Sequence, residues 1–193
     1  MCSNEASVEP PEPWRSFLRE VDAVLKGHVE LRCLGGFVVA QHYGLGRETS
    51  DIDFVDAIGD SHADDLDQLG GMRSELHRRY RVYLQRVAIA TPPCDYVHRL
   101  IPMWPNAPWT RLKLVALDAT DLALSKLERN AERDRDDFLR LVRAGLINLE
   151  VFKQRYFEEV RPYMMGNIHW HDKTLDLWLK MSADWSGLAN RSD

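Results

Sequence analysis

LGGFVVAQHYGLGRETSDIDF, residues 34–54, is the stretch from which the rest of the chain is read. Val29 to Leu34 is a short, mostly apolar run that predicts a strand, and Gly35-Gly36 turns it tightly. Phe37 to Tyr43 has room for two helical turns before Gly44 and Gly46 break it, and a second strand, Asp51 to Val55, follows. Asp51 and Asp53 stand two apart on that strand and so share a face. Alone, such a pair on a half-buried strand is most simply two solvated surface charges. The glycine pair changes that balance. A turn without side chains lets backbone N–H groups approach a phosphate, and a helix start directly behind it adds positive field. Phosphates on one side and paired carboxylates on the other are the two halves of a magnesium–nucleotide site.

Working outward, Pro10, Pro11 and Pro13 with Glu9 and Glu12 offer no packing face, so residues 1–11 read as a flexible lead-in. Phe17, Leu18, Val21, Val24 and Leu25 then recur at helical spacing up to Gly27. Leu66, Leu69, Met72 and Leu76 predict a helix over 62–80, with Gly70-Gly71 as a candidate break, since each glycine costs a helix about 1 kcal/mol. Val82, Leu84, Val87 and Ile89 make a third strand closed by Pro92-Pro93. Leu112 to Leu117 make a fourth after a Pro- and Trp-rich loop. The longest helix is expected from Thr120 to Arg143, capped by Asp118 or Thr120 and ended by Gly145. Helical patches at about 148–160 and 172–184 finish the chain. The order predicts a mixed α/β (α+β) sheet core flanked by helices: lead-in 1–11, core 12–118 and a helical C-terminal part 119–193.

Composition sets the outer bounds. With 193 residues, 45% hydrophobic and 28% charged, the chain has enough apolar material for one sizeable core and too little length for two large domains. A net charge of -5 gives no basic blanket, so contact with nucleic acid would need a local patch. Cys2, Cys33 and Cys94 are odd in number and form no CxxC, which argues against a disulfide framework or a structural zinc site. No run of eighteen apolar residues and no basic leader followed by an apolar run occurs, so a soluble, cytoplasmic protein without membrane contact is expected.

The 34–54 stretch resembles the nucleotidyltransferase superfamily, whose pattern is a Gly-Gly or Gly-Ser turn, a short helix and Asp-x-Asp on the next strand. A second block, DLALSKLERNAERDRDDF (residues 121–138), looks like the C-terminal signature of the bacterial abortive-infection, minimal and type IV toxin-like branch. The resemblance implies that Gly35 and Gly36 hold the triphosphate of an NTP such as ATP. It implies likewise that Asp51 and Asp53 bind Mg2+ or Mn2+, that Arg47 and Thr49 belong to the nucleotide-binding stretch, and that Lys126 contacts phosphate. Asp134 and Asp137 would complete or support the site. The implied reaction is in-line transfer of a nucleotidyl group to an acceptor hydroxyl, on the 3' end of a tRNA or on a protein, with a cognate antitoxin as partner.

On one continuous helix, Lys126, Asn130, Arg133 and Asp137 would share a side while Ala123, Leu127, Ala131, Phe138 and Leu141 form the apolar side, with Asp134 inside the apolar arc. A carboxylate facing a core needs a partner or a metal. The chain departs from the superfamily pattern on its third strand. Val82 to Ala90 holds no acid, and Gln85 stands where a third carboxylate is expected, so Asp95, Asp118 or Asp137 would have to substitute. That departure favours a second reading, a nucleotidyltransferase-fold module that binds a nucleotide or a partner without turnover; a plain structural adaptor is a third.

Remaining features rank lower. His169-Trp170-His171 reads as surface on a polar connector rather than a metal pair, His42 as packed or exposed, and Cys33 as a small core residue. Trp104, Trp109, Trp170, Trp178 and Trp185 are expected to pack the helical part. Arg78-Arg79-Arg81 and Arg129, Arg133, Arg135 and Arg140 are the local basic candidates for an RNA backbone.

Overall fold

The computed structural model describes residues 9–46, 48–59, 63–87 and 90–189, without the side chains of 63, 64 and 185–189. Arg47, Cys2, the first eight residues of the lead-in, the end of the third strand at Ala88-Ile89 and the Trp185 side chain lie outside the described residues. The fold is mixed α/β, a five-stranded mixed sheet with helices. The chain forms two compact units: residues 1–88 with 100–117, and residues 89–99 with 118–193.

The first unit holds the sheet. Its strands are β1 (Val29–Cys33), β2 (Asp51–Gly59), β3 (Tyr83–Arg86), β4 (Ile101–Met103) and β5 (Leu112–Ala116), in the order β3-β2-β1-β5-β4. β1 runs antiparallel to β2 and parallel to β5, and β3 runs parallel to β2. β4, antiparallel to β5, lies in the stretch expected to be loop. It is three residues long and carries Pro102, which an edge strand tolerates because one side of its ladder is empty. β2 outruns its expected end at Val55 and β3 falls short of its expected span.

Helix α1 (Trp14–Val24) forms because Trp14, Phe17, Leu18 and Val21 fall on one face, and that face is buried. The Asp22 carboxylate accepts hydrogen bonds from the backbone N–H groups of Thr110, Arg111 and Leu112, which straps this helix to the start of β5. Gly35 opens the short helix α2 (Gly35–Phe37), which runs on as a π turn over Val38–His42. The expected 62–80 helix is broken at its glycines into α3 (Ala63–Gly70) and α4 (Glu75–Tyr80). A Cβ on Gly70 would press on Phe17 and Leu84, and Gly71 bridges to Leu84 on β3, so the break lets the chain lie against the sheet. Trp104 packs edge-on against Phe37, 6.0 Å between ring centres, so it belongs to the sheet unit and not to the helical part as expected.

The second unit is helical. The single helix expected from Thr120 to Arg143 is two, α5 (Ala119–Leu127) and α6 (Glu132–Arg143). Asn130 separates them with φ 47, a left-handed conformation that Asn adopts more readily than most residues. Its side-chain oxygen accepts from Trp178 Nε1 at 2.9 Å and from Arg135 Nη1 at 3.1 Å, so the break is pinned. α7 (Leu149–Arg155) continues through a π turn, Tyr156–Val160, and a 3₁₀ turn, Arg161–Tyr163, before α8 (Ile168–Ala189). Phe138, Phe152 and Trp178 pack their rings 4.9–6.5 Å apart at the centre of this unit. Arg99, on a 3₁₀ turn (Tyr96–Arg99), binds Asp121 at 2.8 Å and Glu159 at 2.5 Å, and Arg155 binds Asp118 at 2.7 Å and Asp121 at 2.9 Å. Burial pushes the Asp121 carboxyl up, and the two guanidiniums oppose that shift.

Candidate active site

β2 explains why its carboxylates face away from the core. Ile52 and Phe54 are buried while Asp51 and Asp53 are only half-buried, the period-two alternation of a strand with one apolar face. The alternation ends at a bulge: Arg32 pairs with Asp56 and Cys33 with Phe54, so Val55 is skipped. Asp51 and Asp53 therefore sit at the regular end of the strand, roughly 7 Å apart along it.

That end also receives the glycine turn. Leu34 N–H donates to the Asp53 carbonyl at 3.0 Å, which brings the end of β1 beside Asp53. Gly35 has φ +75, and a Cβ placed on it would overlap Asp53 Oδ2 and come within 2.9 Å of Asp53 Cβ. The carboxylate thus occupies the space a side chain at 35 would take, and only glycine fits there. Gly36 follows, half-buried. Thr49 Oγ1 donates a hydrogen bond to Asp51 Oδ1 and orients that carboxylate from the preceding loop. Gly35, Gly36, Thr49, Asp51 and Asp53 are thus drawn together in one unit.

β3 adds two side chains on the same face. Its parallel register places Tyr83 beside Asp51 and Gln85 beside Asp53. Burial, followed by the charges of Asp51 and Asp53, raises the Tyr83 phenol above its ordinary value. The Tyr83 ring lies 5.0 Å from the His77 imidazole, which accepts from the Arg73 N–H at 2.9 Å. The sequence did not single out Tyr83. The signal was present in the prediction of two strands, but the pairing that sets Tyr83 beside Asp51 spans some thirty residues. Cys33 is a buried core residue, as expected, and burial together with the Asp53 charge pushes its thiol up.

In the second unit Lys126 and Asp137 are both 5% exposed, and Lys126 Nζ donates to Asp137 Oδ2 at 2.6 Å. They meet across the α5–α6 break rather than along one helical stripe. Asp134 is fully buried for a local reason: Arg129 grips both its oxygens at 2.8 and 2.5 Å, and the Ala131 N–H donates to it at 3.1 Å at the start of α6. Arg129 being so engaged, and Arg79 being paired with Glu20 and Glu75, each basic cluster loses a member to a local ion pair. His169 and His171 stand on α8 and not on a connector; His171 is buried and His169 exposed, so they do not present a common pair of ligands.

Asp51 and Asp53 are hard oxygen donors, which suits Mg2+ or Mn2+. The missing side chain at Gly35 lets the Asp53 carboxylate lie against the turn, and a pair of hard oxygen donors beside that bend fits such an ion. No helix among the described residues is long and apolar enough to cross a membrane. A family described as "Nucleotidyltransferase of unknown function (DUF6036)" matches residues 18–182. Searches of curated proteins and of solved structures returned no match.

Proposed function

Because the chain belongs to this family of nucleotidyltransferases, we propose that it is a magnesium-dependent enzyme that moves a nucleotidyl group from an NTP to an acceptor hydroxyl. The observation that carries the reading is the seating of Asp53 against Gly35, which supports a cation held by the carboxylates of β2 beside a bend that would take the polyphosphate. Asp51 and Asp53 would hold the cation, and Thr49 keeps Asp51 aimed. When bound, magnesium would neutralise phosphate charge and polarise the phosphorus under attack. The Gly35-Gly36 turn would offer backbone N–H groups to the phosphate tail and so fix the nucleotide for in-line attack by the acceptor oxygen and departure of pyrophosphate. The proposal extends, by resemblance, to an acceptor on tRNA or protein and to work within a toxin–antitoxin or phage-defence pair.

One observation favours a second reading. Gln85 beside Asp53 can accept or donate a hydrogen bond but cannot take a proton from an acceptor hydroxyl at neutral pH, which suits a module that binds a nucleotide without transferring it. Incubating the full chain with labelled NTPs, MgCl2 or MnCl2, RNA and lysate separates the two. Label transfer that disappears in Asp53→Ala supports the enzyme. Nucleotide binding without transfer under either metal supports the module.

A further inference from the structure

We propose that the β3 wall of this site is neutral by construction, so that the site holds one divalent cation rather than two. The inference rests on the reading of Asp51 and Asp53 as cation ligands. Around that pair, β3 places Tyr83 beside Asp51 and Gln85 beside Asp53, and β1 leads into Gly35 through the buried Cys33. A phenol, an amide, a buried thiol and a glycine add no carboxylate to Asp51 and Asp53, and Asp56, the third acid of β2, lies beyond the bulge in register with Arg32, 3.7 Å from its guanidinium. Four acids of the second unit have partners of their own: Asp118 is bound by Arg155, Asp121 by Arg99 and Arg155, Asp134 by Arg129 and Asp137 by Lys126.

Magnesium is commonly held by one or two carboxylates together with substrate phosphates, and two carboxylates meet that need for a single ion. A second ion about 4 Å from the first would need further anionic ligands from the protein to offset the repulsion between two double charges. The strand position best placed to supply one is 85, in register with Asp53, and there the chain carries an uncharged amide. Tyr83 and Gln85 then serve as hydrogen-bonding contacts for the bound ligand.

The test counts Mn2+ bound per full-length chain by electron paramagnetic resonance with α,β-methylene-ATP present, taking at each step the difference from a matched Asp53→Asn variant so that surface binding cancels. The expected difference is one ion for the native chain, one for Gln85→Leu and two for Gln85→Asp, each variant first checked for folding by its circular dichroism melt. A native difference of two overturns the inference while leaving the cation centre standing. A folded Gln85→Asp that stays at one also overturns it, as does loss of the ion in Gln85→Leu, which would make Gln85 a ligand. A native difference of zero removes the cation centre itself, and the inference with it.

Discussion

The Asp53 carboxylate sits where the side chain of residue 35 would be, and Gly35 adopts a left-handed φ of +75 to make room for it. Gly35→Ala therefore faces both a strained backbone and a steric overlap with a charged group. We expect it to lower stability by about 1–3 kcal/mol and to abolish Mn2+-dependent nucleotide binding, read by urea denaturation and calorimetry. Gly36→Ala, next along the same turn, serves as the comparison and should cost less, because its φ is not in the left-handed region.

Lys126 and Asp137 are a buried pair, so removing one partner leaves the other charge stranded. Lys126→Met is expected to destabilise the protein by about 3–5 kcal/mol, whereas Lys126→Met with Asp137→Leu should recover most of that loss. Denaturant midpoints of the two single variants and the double variant make the cycle. Additive losses would show that the two residues are energetically independent.

Asn130 holds a left-handed turn and also accepts the Trp178 indole N–H. Asn130→Gly keeps the backbone freedom and loses the hydrogen bond; Asn130→Ala loses both. The expected order of melting temperature is native, then Gly, then Ala, with about 1–2 kcal/mol of backbone strain separating the last two.

Asp22 receives three backbone N–H groups at the entrance to β5. Asp22→Ala leaves those donors to water or to nothing, and we expect a loss of about 1–3 kcal/mol. Amide hydrogen exchange should quicken first at Thr110, Arg111 and Leu112. Unchanged protection at those three amides would mean that water replaces the carboxylate without penalty.

Burial holds the His42 imidazole below its ordinary value. A depressed folded value means that the folded state binds this proton less readily than the unfolded chain, so its contribution is intact above about pH 6.5 and is lost as pH falls through the folded value. His42→Phe, which cannot charge, should flatten the acid side of the stability profile in that window, measured as urea midpoint against pH.

Features encoded within some twenty residues are legible in the sequence. The glycine turn, Asp51 and Asp53 lie close in sequence, and period two alone puts the two aspartates on one face. The α5–α6 break was not legible, because apolar spacing runs on through Leu127, Ala131 and Phe138, and a lone Asn is a weak stop until Trp178 and Arg135 fasten it. Asp134 looked anomalous on a continuous helix. It is ordinary once the helix restarts at Glu132, since an acid in a first turn accepts backbone N–H groups there. β4 is not legible because a three-residue strand containing Pro102 carries no periodicity. The place of Tyr83 is not legible either, because its neighbourhood is made by strand pairing, which no local pattern records.

The return of residues 89–99 to the helical unit has a practical consequence for anyone cutting the gene. Thr91 donates to Glu128, the Cys94 N–H to the Glu159 carbonyl, and Arg99 to Asp121 and Glu159. A fragment ending at Leu117 would keep this eleven-residue excursion while discarding every one of those acceptors, leaving a sticky, charged tether in mid-chain. An excised sheet unit calls for a short neutral linker spliced from Ala88 to Leu100, and the helical half cannot be expressed as a simple downstream piece.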